Sequence, residues 1–300
     1  MKYSMKLKRL LSLLLVLVLA ISSLCSCAIT LTDTDSANEN SDENLLRVHF
    51  LDVGQGDSIF IEMPNGETML IDTGENYHGE GIIDYINDCG HSKIDYLVGT
   101  HPHSDHIGSM GYIVRNYDVG SIYMPKVSAN TKTYENLLTS ISGKGLKVKN
   151  AKAGVNIVSS DDLTVDIIAP VTIDNDNLNN CSVVIKLIYG DVSYLFTGDA
   201  EKAETESIES DVSADVLKVG HHGSKTSTTD AFVKEVNPQI AIISCGEDNE
   251  YGHPHKSTLN YLEKNHCEIY RTDVDKTVIV SSDGTSYSIQ AGVNSIERVR

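Results

Sequence analysis

Four residues that can bind metal ions lie within one short stretch, which reads HPHSDH from 101 to 106. Side chains two positions apart on an extended segment point the same way, so His101 and His103 can present two imidazoles to one ion. Asp105 and His106 follow on the expected turn, where they can serve a neighbouring ion. Imidazole and carboxylate together suit Zn²⁺, and the carboxylates also suit Mn²⁺. The stretch therefore predicts a centre for Zn²⁺ or Mn²⁺, with two ions per chain.

The predicted elements place this stretch at the end of a buried strand. Residues 94–98 form an apolar β-branched run, and a helix is expected to start after the metal-binding stretch. Strands alternate from residue 46, with an Asn-Gly hairpin turn at 65–66. Further strands are predicted at 163–169, 182–188, 192–196, 216–219 and 240–244, and helices at 81–89, 230–236 and 257–264.

Two predicted hairpins end in similar sequences, IDTG at 71–74 and FTGD at 196–199. Sheets with interleaved helices in two similar halves indicate an α/β protein built as a four-layer αβ/βα sandwich. The pattern alone does not separate this architecture from other α/β folds.

The N-terminal part of the chain has the features of an export signal. Four basic residues lie within the first nine, and the apolar run at 10–21 is too short for a membrane span but typical of a signal-peptide core. The sequence LCSC follows at 24–27, with a small residue before Cys27, and resembles the bacterial lipobox. We therefore expect a lipoprotein signal peptide at 1–26 and a lipid on Cys27. A simple secretory signal is the alternative.

The rest of the chain divides into a tether and one domain. Residues 27–44 are polar and acidic, which predicts a disordered tether. Residues 45–300 form the predicted folded domain. The expected location is outside the cell, on the extracellular face of the cell membrane, with the membrane contacted through the N-terminal lipid. The remaining cysteines show no disulfide-framework spacing, so no disulfide is predicted among Cys89, Cys181, Cys245 and Cys267.

The charge of the chain limits its partners. Lys and Arg number 24 against 42 Asp and Glu, a formal net charge of −18, which excludes a general polyanion-binding surface. One segment has the opposite sign, because six Lys and only one acid, Glu135, lie between Lys126 and Lys152. This segment can guide a nucleic-acid backbone. It can equally be a solvated helix and turn, and no aromatic-rich platform for stacking bases is visible.

The HPHSDH stretch is the HxHxDH signature of the metallo-β-lactamase superfamily, which this sequence resembles. Other stretches are similar to the β-lactamase-like domain of the competence DNA-uptake protein ComEC: LDVGQGDS at 51–58, IDTG at 71–74, LFTGD at 195–199, LKVGHHGSKTS at 217–227 and GHPH at 252–255. The resemblance covers most of residues 46–290. It implies the metallo-β-lactamase fold, in a chain that carries the hydrolase domain alone on a lipid anchor, without the membrane channel.

The same resemblance implies roles for individual residues. Asp199 would bridge two ions and His221 would bind the second, although without the resemblance Asp199 could be only a helix N-cap. The implied metal ligands are His101, His103, Asp105, His106, Asp199 and His221. Asp105 would also orient the attacking water. The scissile phosphate would be held by His222, Ser224 and Lys225, while His253 and His255 would order their loop or contact substrate.

One departure from the superfamily pattern affects the first ion. The superfamily usually has another ligand His before the bridging Asp, but no His lies between His106 and Asp199. In its place stands NNCS at 179–182, which looks like the Asn-Asn-x-Ser of the competence branch. Water or Asn180 would complete the first ion, with Ser182 also at the substrate site. The departure argues against β-lactam hydrolysis and favours Mn²⁺.

The expected activity is that of a phosphodiesterase or nuclease. Metal-bound hydroxide would attack a phosphodiester substrate, with DNA as one candidate. One alternative is a cell-surface phosphoesterase acting on wall polymers such as choline phosphate esters. Another is a non-catalytic metal-binding lipoprotein.

Overall fold

The computed structural model describes residues 44–293, whose strands form two sheets. The signal peptide, Cys27 and almost all of the tether lie outside the described residues. The first sheet has eight strands in the order β15-β14-β1-β2-β3-β4-β5-β6. These are β1 Leu46–Phe50, β2 Ile59–Glu62, β3 Thr68–Ile71, β4 Lys93–Val98, β5 Asp118–Met124, β6 Val148–Asn150, β14 Thr277–Ser282 and β15 Tyr287–Val293.

The second sheet has seven strands in the order β13-β12-β11-β10-β9-β8-β7. These are β7 Val155–Ser159, β8 Leu163–Ala169, β9 Val184–Tyr189, β10 Val192–Phe196, β11 Val216–Lys218, β12 Ile240–Ile243 and β13 Glu268–Arg271. The α-helices among the described residues are α1 Gly79–Asp88, α2 Ser104–Ile107, α3 Met110–Asn116, α4 Lys132–Gly143, α5 Lys202–Thr205, α6 Asp230–Val236, α7 Lys256–Lys264 and α8 Thr272–Asp275. None of the helices in residues 44–293 is long and apolar enough to cross a membrane.

The two sheets repeat one topology, which explains the similar hairpin endings in the sequence. In the first sheet, the antiparallel pair β2–β3 leads into β4 and β5, which run parallel to β3. In the second, the antiparallel pair β9–β10 leads into β11 and β12, which run parallel to β10. Parallel strands need crossover connections, and these carry helices. Each half therefore places the carboxyl ends of several parallel strands together.

Three hydrophobic cores separate four layers. The central core joins the sheets: Phe50 of β1 and Phe196 of β10 are both buried, with ring centroids 6.2 Å apart. A second core packs the outer face of the first sheet against helices through residues such as Ile86 and Ile113. A third packs the second sheet against α6 and α7 through residues such as Val233 and Leu262. This arrangement is the predicted αβ/βα sandwich.

The strands and helices predicted with bounds match the structure within two residues at each end, and one of the largest differences has a local cause. The strand expected at 182–188 begins at Val184, because residues Leu178–Cys181 form a short 3₁₀ turn that Asn177 caps with its side chain. The lysine-rich segment contains α4 and the edge strand β6.

Candidate metal centre

The predicted metal-binding residues gather where parallel strands end. His101 and His103 lie in the loop after β4, and Asp105 and His106 lie in α2. Asp199 follows β10, and the two histidines at 221–222 follow β11. In α/β sheets, ligand sites form outside the carboxyl ends of strands. Donors from both sheets therefore meet at one edge of the sandwich.

The turn after β11 has an unusual backbone. His221 (φ 51°, ψ 49°) and His222 (φ 51°, ψ 27°) are both left-handed, a conformation that costs an L-residue roughly 1–2 kcal/mol. The His222 ring is fixed from behind, because its Nδ1 lies 2.9 Å from the carbonyl oxygen of Ser244. Two successive left-handed residues turn both imidazoles toward Asp199.

The two carboxylate oxygens of Asp199 face different histidines. Oδ1 lies 3.2 Å from His106 Nε2 and 3.5 Å from His222 Nε2. Oδ2 lies 3.6 Å from His221 Nε2 and 3.9 Å from His101 Nε2. A carboxylate with imidazole nitrogens on both sides has the arrangement that a ligand shared by two ions requires.

The chemistry of this donor set fits a divalent ion. One donor atom each from Asp105, His106, Asp199 and His222 lies within 4.8 Å of the others. His106 Nε2 and Asp199 Oδ1 are buried without a hydrogen-bond partner. Buried polar atoms are normally paired, and a cation between them satisfies both. On the other side of Asp199, His101 Nε2 lies 2.9 Å from His103 Nδ1, so those two imidazoles can share an ion.

Asp72 of the IDTG stretch and Asp57 of the LDVGQGDS stretch hold two of these histidines in place. Asp72 Oδ2 lies 2.7 Å from His106 Nδ1, and Thr100 donates two hydrogen bonds to the same carboxylate. Asp57 Oδ1 lies 3.4 Å from His222 Nδ1, and its other oxygen pairs with Lys218 Nζ at 2.8 Å. Such contacts fix the orientation of a ligating imidazole and leave its other nitrogen for the metal. Sequence analysis assigned no role to Asp57, Asp72 or Lys218.

The electrostatics of the centre favour bound positive charge. Burial disfavours charge on Asp199, yet the positive field of His106 and His222 holds the pKa of this carboxyl well below its usual range. The pKa of Asp105 is also lowered, against its burial, by His106 and a hydrogen bond with His222. Conversely, Asp199 and Asp105 raise the pKa of His222 to about 10 despite its burial. Ionised carboxylates at this depth require cations as partners.

The centre opens into a cleft of about 400 Å³ that holds several predicted residues and some that were not predicted. The expected residues on its wall are His103, Asp105, Asp199, His221, His222 and His253. The unexpected ones include Gln55, Thr131, Asn179 and Tyr251. A polar residue beside a ligand stretch, such as Asn179, could have been noticed from sequence. Tyr251 gave no signal beyond being an aromatic in a polar loop.

Asn180 and Ser182, both expected at the substrate site, do not line this cleft. Ser182 is fully buried, and its hydroxyl accepts a hydrogen bond from the Asp199 N–H at 3.1 Å. It therefore positions Asp199 from behind. The Asn180 amide donates to Asp174 at 3.1 Å, and its neighbour Asn179 lines the cleft in its place. The 3₁₀ turn causes this difference, since consecutive residues on it point in different directions.

The remaining predicted residues lie around the turn after β11. Ser224 is buried, with its hydroxyl 3.1 Å from that of Thr226. Lys225 is exposed, and its backbone N–H donates to His255 Nδ1 at 3.3 Å. The His255 and His253 rings are 5.0 Å apart, and only His253 lines the cleft.

The structure places the adjacent histidines differently from the expectation. His222, expected to hold phosphate, lies with Asp105, His106 and Asp199 in a group of side chains that could hold a metal ion. His221, expected to bind that second ion, faces the Asp199 oxygen shared with His101.

Comparison with known proteins agrees with the fold. Residues 51–247 match the metallo-beta-lactamase superfamily, and the chain belongs to this superfamily of metal-dependent hydrolases. Within it, the chain is 34% identical over 251 residues to ComE operon protein 3 of Bacillus subtilis, covering 77% of this chain and 32% of that protein. It is 28% identical over 237 residues to competence protein ComA of Neisseria gonorrhoeae, an alignment that covers 77% of this chain and 32% of that protein. These relatives confirm the resemblance to the ComEC β-lactamase-like domain.

The chain spans about a third of the length of these curated relatives. Among solved structures, CmlA, a diiron β-hydroxylase from Streptomyces venezuelae, shares the fold with a TM-score of 0.51 at 14% identity, over 75% of this chain and 52% of that one.

Proposed function

We propose that the chain is a metal-dependent phosphodiesterase that cleaves DNA or another phosphodiester. The observation that carries this proposal is the Asp199 carboxylate, which has histidines on both sides. His101, His103 and His221 would hold one ion, and Asp105, His106 and His222 would hold the other, with Asp199 shared between the two groups. Two ions bound there would supply a water-derived nucleophile at neutral pH and would stabilise charge on the attacking and leaving oxygens of a phosphodiester.

The chain's own residues position the substrate and the attacking water. Asp105 Oδ2 lies 3.2 Å from His222 Nε2 at the cleft wall, which holds its carboxylate where it can orient a water. Lys225 is exposed at the turn that carries the histidines, and it can place its ammonium group on a phosphate oxygen. His253, with its ring centroid 6.2 Å from that of His222, can hydrogen-bond to a bound phosphodiester.

Two surface features favour a nucleic-acid substrate. Thr131 lies within the lysine-rich segment 126–152 and lines the cleft, so this segment reaches the cleft rim at one point, and all six of its lysines are exposed. Tyr251 also lines the cleft, is 67% exposed, and stacks at 20° on His253. Exposed rings beside a basic segment are how proteins bind single strands without reading sequence. The similarity to competence proteins also supports this substrate class.

The test is a substrate panel assayed with and without added metal. Purified protein, stripped by chelator and reloaded with Mn²⁺ or Zn²⁺, is assayed on single- and double-stranded DNA, bis(p-nitrophenyl) phosphate and choline phosphate esters. We expect metal-dependent phosphodiester cleavage that Asp199→Asn abolishes. Asp211→Asn is the matched control, because Asp211 is 74% exposed and is not one of the ligands proposed for the centre.

The other outcomes of this panel would reject the proposal. Turnover of choline esters alone would identify a wall-polymer phosphoesterase, and metal binding without turnover of any substrate would identify a binding lipoprotein. Activity that persists in Asp199→Asn would contradict the shared-carboxylate centre.

We also propose that the protein is exported and attached to the membrane through a lipid on Cys27. The supporting observation is the lipobox-like LCSC sequence after a short apolar run. Cys27→Ala should move the protein from the membrane fraction to the soluble fraction. Continued membrane attachment of this variant would contradict lipidation at that residue.

A further inference from the structure

A second group of metal-binding side chains lies on the outer face of the first sheet. One donor atom each from His49, Glu62 and Cys89 lies within 4.8 Å of the others. His49 is on β1, Glu62 ends β2, and Cys89 directly follows α1. None of these residues belongs to the centre around Asp199, so the two groups are independent.

The local sequence brings these donors together. Val48 and Phe50 of β1 belong to the core between the sheets, so the intervening His49 points the opposite way, toward the helical layer. There its ring contacts Phe60 and Tyr85, with centroids 5.5 and 5.7 Å away. Tyr85 is one helical turn before Cys89, so α1 delivers the thiol to the same place.

Neighbouring residues fix the donors as they do in known metal sites. His49 Nε2 lies 2.9 Å from Glu62 Oε1, while its Nδ1 lies 2.8 Å from the Tyr85 hydroxyl. The second Glu62 oxygen lies 2.8 Å from His91 Nε2. An imidazole held through one nitrogen presents the other to a metal, and ligating carboxylates are themselves hydrogen-bonded. A cation between His49 and Glu62 takes the place of the proton that they share.

We propose that His49, Glu62 and Cys89 bind one divalent transition-metal ion of the Zn²⁺ class. The donors are an imidazole nitrogen, a carboxylate oxygen and a thiolate sulfur, a set that suits Zn²⁺ or Co²⁺ and not Mg²⁺ or Ca²⁺. His91 or water can fill the fourth position of a tetrahedral site. Solvent reaches the group, since the Glu62 side chain is 15% exposed and Cys89 is only partly buried. The bound ion joins α1 to β1 and β2.

Cobalt absorption separates this site from the centre around Asp199. That centre contains only imidazole and carboxylate donors, so a near-ultraviolet thiolate-to-cobalt band must come from a cysteine site. Protein loaded with Co²⁺ should show this band, and Cys89→Ser should abolish it and bind one ion fewer per chain by elemental analysis. Cys267→Ser is the matched control and should keep both, because Cys267 is buried in the core of the second sheet.

A second substitution tests the carboxylate and guards against misfolding of the first variant. Glu62→Gln keeps a polar partner for His49 but removes the negative charge, so it should also lose one ion per chain and the cobalt band. Both variants should retain phosphodiester cleavage, because the centre around Asp199 is untouched. Equal metal content in wild type and both variants, or a band that survives Cys89→Ser, would overturn the proposal. The group would then be a hydrogen-bond network alone.

Discussion

Replacing Lys218 by Met should leave a buried carboxylate without its cation. Lys218 Nζ lies 2.8 Å from Asp57 Oδ2, and the two side chains are 0% and 2% exposed. Lys218 also donates to the Val219 carbonyl at 3.0 Å. Breaking a buried ion pair from one side costs about 3–5 kcal/mol, mostly from the charge left behind. We therefore expect Lys218→Met to lower the free energy of unfolding by about that amount.

The partner substitution shows whether the charge is the cause. In the double variant Lys218→Met/Asp57→Asn no uncompensated charge remains, so part of the lost stability should return. Directly contacting pairs couple by roughly 0.5–3 kcal/mol, and we expect a coupling energy in the upper half of that range. A cost equal to the sum of the two single substitutions would refute the reasoning.

The assay is urea unfolding in chelator, followed by circular dichroism because the chain has no Trp. Lys186→Met is the matched control: Lys186 is also a buried strand lysine, 7% exposed, but its partner Asp211 is 74% exposed and lies 3.6 Å away. Water can solvate Asp211 when the lysine is removed, so this variant should lose clearly less stability. Equal losses in Lys186→Met and Lys218→Met would show that the buried carboxylate is not responsible.

Four further outcomes are expected. Asp105→Ala should abolish turnover and lower the metal content measured by elemental analysis. Lys225→Ala should keep its metal but lower kcat about 10²–10³-fold, the effect of deleting one charge-stabilising donor. In urea unfolding with chelator present, the free energy of unfolding of His222→Gly should exceed that of His222→Ala by about 1 kcal/mol, because glycine adopts the left-handed backbone conformation without strain. Tyr251→Ala should raise the KM for a DNA oligonucleotide about tenfold and leave kcat unchanged, since stacking is worth about 1–3 kcal/mol per base. Glu204 is 4% exposed, and burial raises its pKa from 4.5 to about 7. Between pH 4.5 and about 7, the Glu204 carboxyl therefore stays protonated in the folded state but loses its proton in the unfolded state. Wild type should therefore lose up to about 3 kcal/mol of stability as pH rises through this range in urea titrations, and Glu204→Gln should not.

Local sequence patterns were sufficient to predict the main strands and the two similar halves of the fold. The apolar run at 94–98 and the HPHSDH stretch after it predicted a buried strand and a donor-rich loop, because both depend on neighbours in the chain. The two similar hairpin endings also predicted two similar halves, and both sheets show the same sequence of antiparallel and parallel pairing.

Long-range packing decided what the sequence left open. Which of His221 and His222 joins Asp105 depends on two left-handed residues and on the distant Ser244 carbonyl that holds one ring. Sequence spacing carries no information about either. Likewise, the hydrogen bond from the Asp199 N–H places Ser182 behind the centre, although its place in the NNCS stretch at 179–182 suggested the substrate side.

The donors of the metal centre come from loops of both sheets, with His106 following β4 of the first and Asp199 following β10 of the second. An ion bound by both residues is therefore a cross-link across the sandwich. Because this cross-link needs both sheets in place, we expect it to form late in folding, so that added metal should slow unfolding more than it speeds folding. In kinetic terms, ions bound there would lengthen the lifetime of the folded state, a property that also limits proteolysis.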